Sequence, residues 1–248
     1  MGIIKRFLRS KKSRAGKREP GAKFAANKLD RVRSLRSLGV PVESVVDVGV
    51  QGSTDELIQS VPDKHHHLFE PVALWHADIR KNYARVAHTL YPVALSDTSG
   101  SAWLVQTSLH KDGRPTHASI ETESVIPDGK AIVDCKPMEI RRLDHYSSQF
   151  TENFLLKIDV DGKELEVLRG ASGCIRRASV VIAEASWQSL TERGRALEEC
   201  GFQLIDIVDR IMYGEVIWQC DLVYLRDDLM NERLRPPMFD QRFWRPLP

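Results

Sequence analysis

A chain of 248 residues with 42% hydrophobic and 28% charged side chains has the balance of one soluble globular domain with short extensions. Its formal net charge of +2 is too small to argue for nucleic acid, and no apolar run approaches the roughly 18–20 residues of a membrane span. The four cysteines, Cys135, Cys174, Cys200 and Cys220, form no CxxC pair; they indicate neither a zinc knuckle nor a disulfide framework, and a reducing cytoplasm is the expected compartment.

Residues 1–23 read as a basic, flexible segment, with Lys5, Arg6, Arg9, Lys11, Lys12, Arg14, Lys17 and Arg18 opposed only by Glu19. The main domain spans 24–226. A helix is expected from Phe24 to Leu38, where Val32, Leu35 and Leu38 recur at helical spacing and Gly39 and Pro41 stop it. SVVDVG (44–49) is a short apolar run of the kind that makes a buried parallel strand, followed by a helix from about Thr54. A second strand ends at Glu70-Pro71, 72–88 reads as a helix, and TLYPVALSD (89–97) as a third strand. Turn signals at Asp112-Gly113 and Asp128-Gly129 mark 98–140 as an inserted hairpin or meander. FLLKIDVDG (154–162) and SVVIAEA (179–185) are buried strands, each followed by a helix, to Gly170 and over 189–200. The runs 202–209 and 216–225 form a closing antiparallel pair, and 227–248, rich in Arg and Pro, reads as a surface tail. Strands alternating with helices predict an α/β doubly wound, mostly parallel sheet with a C-terminal antiparallel hairpin.

Three motifs carry chemistry. In VVDVGVQGSTDEL (45–57) a strand runs through Gly49 and Gly52 into a helix, a turn in which backbone can approach a ligand closely. Ser53 and Glu56 there have capping-box spacing. Glu70 lies 23 residues past Asp47 at the end of the second strand, where an acid binds ribose hydroxyls in doubly wound folds. Together these point to a nucleoside-containing cofactor, S-adenosylmethionine or NAD. In LLKIDVDGKELEVLRGA (155–171), Asp159 stands at the carboxyl end of its strand, where ligands lie in open α/β sheets, and Glu184 ends the next strand. Asp161 and Glu164 have capping spacing, which leaves Asp161 either a helix cap or a site residue.

At these residues the chain resembles the FkbM family of methyltransferases. The resemblance runs from about residue 28 to 226, through 45–57, LFEPV (68–72), PVALSD (92–97), FLLKIDVDGKELEVLRGA (154–171), VVIAEAS (180–186) and the closing segment from Gly201-Phe202 to Leu225. KIDVDG followed by ELEVLRGA is its most specific part. It implies a seven-stranded, Rossmann-like class I methyltransferase fold, S-adenosylmethionine as donor, and O-methylation of a hydroxyl on a sugar, glycan or natural product. It also implies cofactor contacts from Asp47, Gly49 and Thr54, the ribose on Glu70, and the adenine end near Ser96 and Asp97. With Gly52 and Ser53 these complete the expected cofactor set. Two positions depart from the family pattern: Asp161 replaces the commoner Glu, and Ser53 stands where Gly is usual, with a Gly one residue earlier.

A hydroxyl is a poor nucleophile, so a base within hydrogen-bond reach is expected. Asp159 is the first candidate, followed by Asp161, Glu184 and His117 of the insert. A divalent ion on Asp159, Asp161 and Glu184 would instead lower the hydroxyl pKa. Tyr213, Gln219 and Asp221, on or beside the closing hairpin, are candidates for an acceptor pocket, and one of the five tryptophans for stacking on a sugar or on adenine. The run His65, His66, His67 cannot share one ion, because adjacent strand residues face opposite ways. Residues 1–18, with Ile3, Ile4, Phe7 and Leu8 among the basic side chains, read either as a solvated tail or as a peripheral contact with the anionic inner membrane surface. Two competing functions are an NAD-linked oxidoreductase, which calls for a fuller GxGxxG loop and a second domain, and a non-catalytic methyltransferase-fold binding protein, suggested by Ser53.

Overall fold

The computed structural model describes residues 27–108, 115, 117–121, 131–231 and 234. The basic segment 1–23, parts of the insert and all of the tail beyond 231 except Leu234 lie outside the described residues. In chain order the elements are α1 (Lys28–Ser37), β1 (Ser44–Val48), α2 (Asp55–Ser60), β2 (His65–Phe69), α3 (His76–Asn82), β3 (His88–Tyr91), β4 (Ala94–Leu95), β5 (Gly100–Ser108), β6 (His117–Glu121), β7 (Ala131–Arg141), β8 (Phe154–Ile158), α4 (Glu164–Gly170), β9 (Ala178–Ser186), α5 (Leu190–Glu199), β10 (Phe202–Tyr213) and β11 (Val216–Arg226).

Seven strands form one sheet in the order β10-β11-β9-β8-β1-β2-β3. The pairings among β9, β8, β1, β2 and β3 are parallel, and β11 runs against both of its neighbours. This is the expected class I methyltransferase architecture, with the closing hairpin inserted so that β11 lies inside β10. Every residue of β1 and β8 is buried, because helices cover both sheet faces. Neighbouring residues therefore enter different cores. Val46 and Leu156 pack with Val167, Leu168 and Leu197 of α4 and α5, whereas Val45 and Leu155 pack with Val32, Leu35 and Leu57 of α1 and α2.

Of the two expected forms of the insert the structure has the hairpin, β5 with β6, and not the meander, because β7 returns to pair antiparallel with the other edge of β5. Its sheet recruits β4, which pairs with β7. The third expected strand is thus two strands in two sheets. Pro92, between them, has no N–H with which to continue a ladder. The expected helix over 72–88 is also shorter. A 3-10 turn at Ala73–Trp75 precedes α3, and Tyr83 closes it by donating its N–H to Ile79. The first helix begins at Lys28, capped by the Asn27 side chain, which accepts from Asp30 N–H at 2.7 Å. The histidine run alternates as expected: His66 Nε2 meets Val61 O at 2.9 Å, and His67 Nδ1 meets Tyr91 Oη at 3.0 Å.

The two sheets are joined by a tight contact. A Cβ on Gly170, the last residue of α4, would lie 2.1 Å from Ser96 O in the segment leaving β4. Both sides of that contact are backbone, so neither yields cheaply. Gly170→Ala is expected to cost about 1–3 kcal/mol by overpacking, read as a lower thermal midpoint with an unchanged far-UV spectrum; an unaltered midpoint would contradict the packing described.

Candidate active site

A cleft of about 720 Å³ lies beyond the carboxyl ends of the parallel strands, lined by residues of the β1–α2 loop, Glu70, Asp159, Glu184 and the inner face of the insert. Beneath it is a fully buried ion pair. Asp47 and Lys157 are direct neighbours in the β1–β8 register, the charged residues of two buried, mostly apolar strands. Lys157 Nζ lies 3.3 Å from Asp47 Oδ1, 3.3 Å from Asp159 Oδ2 and 3.0 Å from Gly49 O, to which it donates. Burial opposes its charge, but Asp47 and Asp159 outweigh that cost and hold the ammonium well above the ordinary lysine range. Tyr83 adds a relay: its hydroxyl accepts from Thr54 N–H at 3.3 Å and donates to Asp47 Oδ2 at 3.3 Å.

The glycine loop is shaped by close approach. Gly49 has φ +82°, and a Cβ there would stand 1.8 Å from Asp159 O, so β1 and β8 meet at a point only glycine permits. Gly52 has no such constraint, since its Cβ would make an ordinary 3.8 Å contact with Trp75; the second left-handed residue of the loop is Gln51, at φ 55°. The expected Ser53–Glu56 capping box is absent. Thr54 is the N-cap of α2 with no side-chain cap bond, and Ser53 Oγ instead donates to Asp55 Oδ1 at 2.8 Å. Glu70 fastens the loop from the next strand, accepting from Gln51 N–H at 2.7 Å and Val72 N–H at 2.8 Å. Burial pushes its carboxyl up to about 7 against those two bonds.

The catalytic candidates fall into two groups. Asp159 and Glu184 form a hydrogen-bonded pair. Burial alone would raise Asp159, but Lys157 and then Lys28 hold it below the usual carboxylate range. Burial and the adjacent Asp159 charge push Glu184 up to about 9, so the proton of the pair resides on Glu184 at neutral pH. Across the β9–β11 pairing Asp221 stands directly opposite Glu184, and Lys28 of α1 reaches Asp221 at 2.7 Å. Asp161 is separate: it sits at φ 52° and accepts from Ala118 N–H at 3.1 Å, which fastens β6 of the insert over the cleft and places His117 at the cleft wall.

Asp161 is therefore not a helix cap. That turn is held by Glu164, whose Oε1 accepts from Val160 and Gly162 at 3.1 and 3.2 Å while Arg193 pairs with its other oxygen. Arg193 also donates to Glu184 O at 2.6 Å, so the two strand-end turns share one guanidinium.

Several expected cofactor residues are placed elsewhere. Asp47 has no exposure and lies under the loop, not on the cleft. Ser96 and Asp97 are not among the residues lining the cleft; Ser96 N–H donates to Arg141 O, and Asp97 O accepts from Arg142 at 2.8 Å. Val93, Ala94 and Leu95 line that end of the cleft instead. Among the described residues no three His, Cys, Asp or Glu side chains converge to hold a metal ion. The Asp159–Asp161–Glu184 set fails because Asp159 is turned to Lys157 and Glu184, and Asp161 to the insert. Gln219 and Asp221 do line the cleft, whereas Tyr213 is 69% exposed near the hairpin tip. Lys157 and Lys28 were not foreseen as site residues. A lysine inside FLLKI opposite an aspartate inside SVVDV is a legible sign of a buried pair, but nothing local marks Lys28.

The raised Glu184 pKa has a consequence for stability. The folded chain keeps this proton to about pH 9, whereas the unfolded chain releases it near 4.5. Between those values folding takes up a proton, so this group's effect on stability worsens as pH rises. Glu184→Gln keeps a donor for Asp159 and removes the titration. Its thermal midpoint relative to wild type is expected to improve from pH 5 to pH 8; an offset identical at both pH values would refute the assignment of the proton.

Residues 47–204 match the family described as methyltransferase FkbM domain. No curated protein matches the chain. Similar solved structures include precorrin-6y C5,15-methyltransferase from Geobacter metallireducens GS-15, at 16% identity, TM-score 0.41 and coverage of 83% of this chain and 93% of that one. Magnesium protoporphyrin IX methyltransferase (ChlM) from Synechocystis PCC 6803, with bound SAM, shares 10% identity at TM-score 0.45, over 80% of this chain and 77% of that one. The matched span begins at the buried Asp47 and runs through the Asp159 turn to the first closing strand: the chain belongs to the FkbM methyltransferase family.

Proposed function

We propose that this protein transfers a methyl group from S-adenosylmethionine to a hydroxyl of a sugar, glycan or natural product. The observation that carries the donor assignment is the charge of the cleft floor. Asp47, Asp159, Asp209 and Asp221 are set against two ammonium groups, those of Lys157 and Lys28, while Lys163 and Arg210 of the lining are offset in number by Glu56 and Asp161. Two negative charges remain uncompensated with Glu184 protonated, and such a floor attracts a sulfonium cation. It repels a pyrophosphate, which weighs against the NAD reading. A cleft of about 720 Å³ is of a size for a nucleoside-bearing molecule.

The residues present fit the donor. The backbone of 49–54 would meet its amino-acid end. Glu70, with one backbone N–H on each oxygen, retains lone pairs for ribose hydroxyls, and Phe69, Val93 and Leu95 offer an apolar wall for the base. Ser53, the departure behind the non-catalytic reading, donates its hydroxyl to Asp55 and leaves the backbone N–H groups of 49–54 on the cleft side of the loop as the donor's partners in this reading.

The bound donor would supply an electrophilic methyl carbon, whose bond to sulfur breaks as the acceptor oxygen attaches. The protein's own work is to hold the acceptor in line and to take its proton. That proton becomes strongly acidic as the oxygen alkylates, so a carboxylate held ionised by Lys157 is a sufficient base. Asp159, about a third exposed at the cleft, is that carboxylate, and Glu184 orients it through the shared proton. His117, across the cleft on β6, is the second candidate.

Asp159→Asn preserves shape and one hydrogen bond to Glu184. It is expected to remain folded, to bind S-adenosylmethionine, and to transfer methyl at least about a hundredfold more slowly. Turnover within a few-fold of wild type would move the role to His117, where His117→Gln would then carry the loss.

A further inference from the structure

Beside the main cleft lies a second one, of about 360 Å³, between the insert and the β9–β11 edge. It shares His117, Asp161, Glu184 and Gln219 with the first, so the two open onto the same carboxyl groups. Its outer side is Trp218, 53% exposed. Ile211, Met212, Tyr213 and Val216 of the same hairpin are exposed with it, and grouped apolar surface, unlike a single exposed side chain, marks a binding site.

The backbone shows how Trp218 comes to be there. In the β10–β11 ladder Ile211 pairs with Gln219 and Met212 with Ile217, which leaves Trp218 as the extra residue of a β-bulge. Bulges re-aim side chains and are found beside active sites. Here the bulge breaks the alternation at the carboxyl edge of the sheet. Tyr213 braces the indole, with ring centroids 6.2 Å apart, and Trp187 N–H, just past β9, donates to Trp218 O at 3.2 Å.

The remaining lining selects the kind of ligand. Ser119, Ser186 and Gln219 offer hydrogen bonds to hydroxyls. Ser186 Oγ is already held at 3.0 Å by Ser189 Oγ, and Ser186 and Gln219 are a direct cross-strand pair. Glu121 and Asp161 contribute carboxyls, and the guanidinium of Arg193 is neutralised by Glu164. Such a wall disfavours phosphates. It suits an uncharged ring with an apolar face and a rim of hydroxyls.

We propose that the second cleft is the acceptor subsite, and that Trp218 is the aromatic face against which a neutral, polyhydroxylated ring of pyranose type lies. The assignment rests on the reading of the adjoining cleft as the methyl-donor site. It gives the bulge a purpose: to carry the acceptor ring to the Asp159–Glu184 pair without crossing the donor cleft.

The test uses the full chain with S-adenosylhomocysteine and a panel of methyl pyranosides, with glucose 6-phosphate and catechol as controls, read by saturation-transfer NMR and titration. At least one neutral pyranoside should bind wild type. Trp218→Ala should weaken it at least about tenfold, as expected for loss of a central aromatic contact. Trp218→Phe should restore most of the affinity, and calorimetric S-adenosylmethionine binding should be unchanged in both variants. The proposal is overturned if no pyranoside binds while S-adenosylmethionine does, if Trp218→Ala binds as wild type does, or if only catechol or the phosphorylated sugar binds. If pyranosides bind through Trp218 and S-adenosylmethionine binds nowhere, the ring subsite stands and the donor reading falls.

Discussion

The buried ammonium of Lys157 is the interaction on which the rest of the site depends. It joins Asp47 of β1, Asp159 at the end of β8 and the carbonyl of Gly49 in the loop between them. One cation thus fixes the two central strands and the loop relative to one another. Such a group is no gift to stability. Desolvating two carboxyls and an amine costs several kcal/mol before their attraction offsets it, and breaking a pair of this kind typically costs about 3–5 kcal/mol. The arrangement makes sense as positioning: it holds Asp159 ionised at the cleft and the glycine loop against the sheet.

Other features follow from that charge. Because Asp159 is ionised, Glu184 beside it keeps its proton, and two adjacent strand-end acids take different protonation states. Pairs of carboxyls driven apart in pKa are a common sign of an acid and a base in one site. Glu164 and Arg193 hold the backbone of the Asp159 turn and the carbonyl of Glu184, so these two side chains stand on braced turns. Asp161 fastens the insert to this turn by accepting from Ala118 N–H, at the wall shared by the two clefts.

Much of the fold was legible in the sequence, and for a physical reason. Strands such as SVVDV and FLLKI are buried on both faces, so they read as apolar runs with sharp ends, and Asp159 was correctly placed just past one. Local patterns failed where tertiary contacts decide. TLYPVALSD reads as one strand, yet Pro92 parts it between two sheets. Ser53 and Glu56 have capping-box spacing, but Ser53 turns to Asp55. Asp161 has the spacing of a cap and spends its oxygen on the insert. Ser96 and Asp97 lie just past the residues that line the cleft, Val93 to Leu95, where the Ser96 carbonyl packs against Gly170. Lys28 acts on Asp221 and Arg193 on Glu164, partners far away in sequence, and no window of residues predicts that. The bulge at Trp218 is likewise a property of pairing, not of composition.

The central claim is that a cleft floored by excess carboxylate takes a sulfonium nucleoside and not a dinucleotide. The most direct measurement is calorimetric titration of the full chain with S-adenosylmethionine and with NAD, in parallel, at pH 7 and low salt. The account predicts saturable one-to-one binding of S-adenosylmethionine and no binding of NAD at millimolar concentration. Saturable binding of NAD with none of S-adenosylmethionine would contradict it.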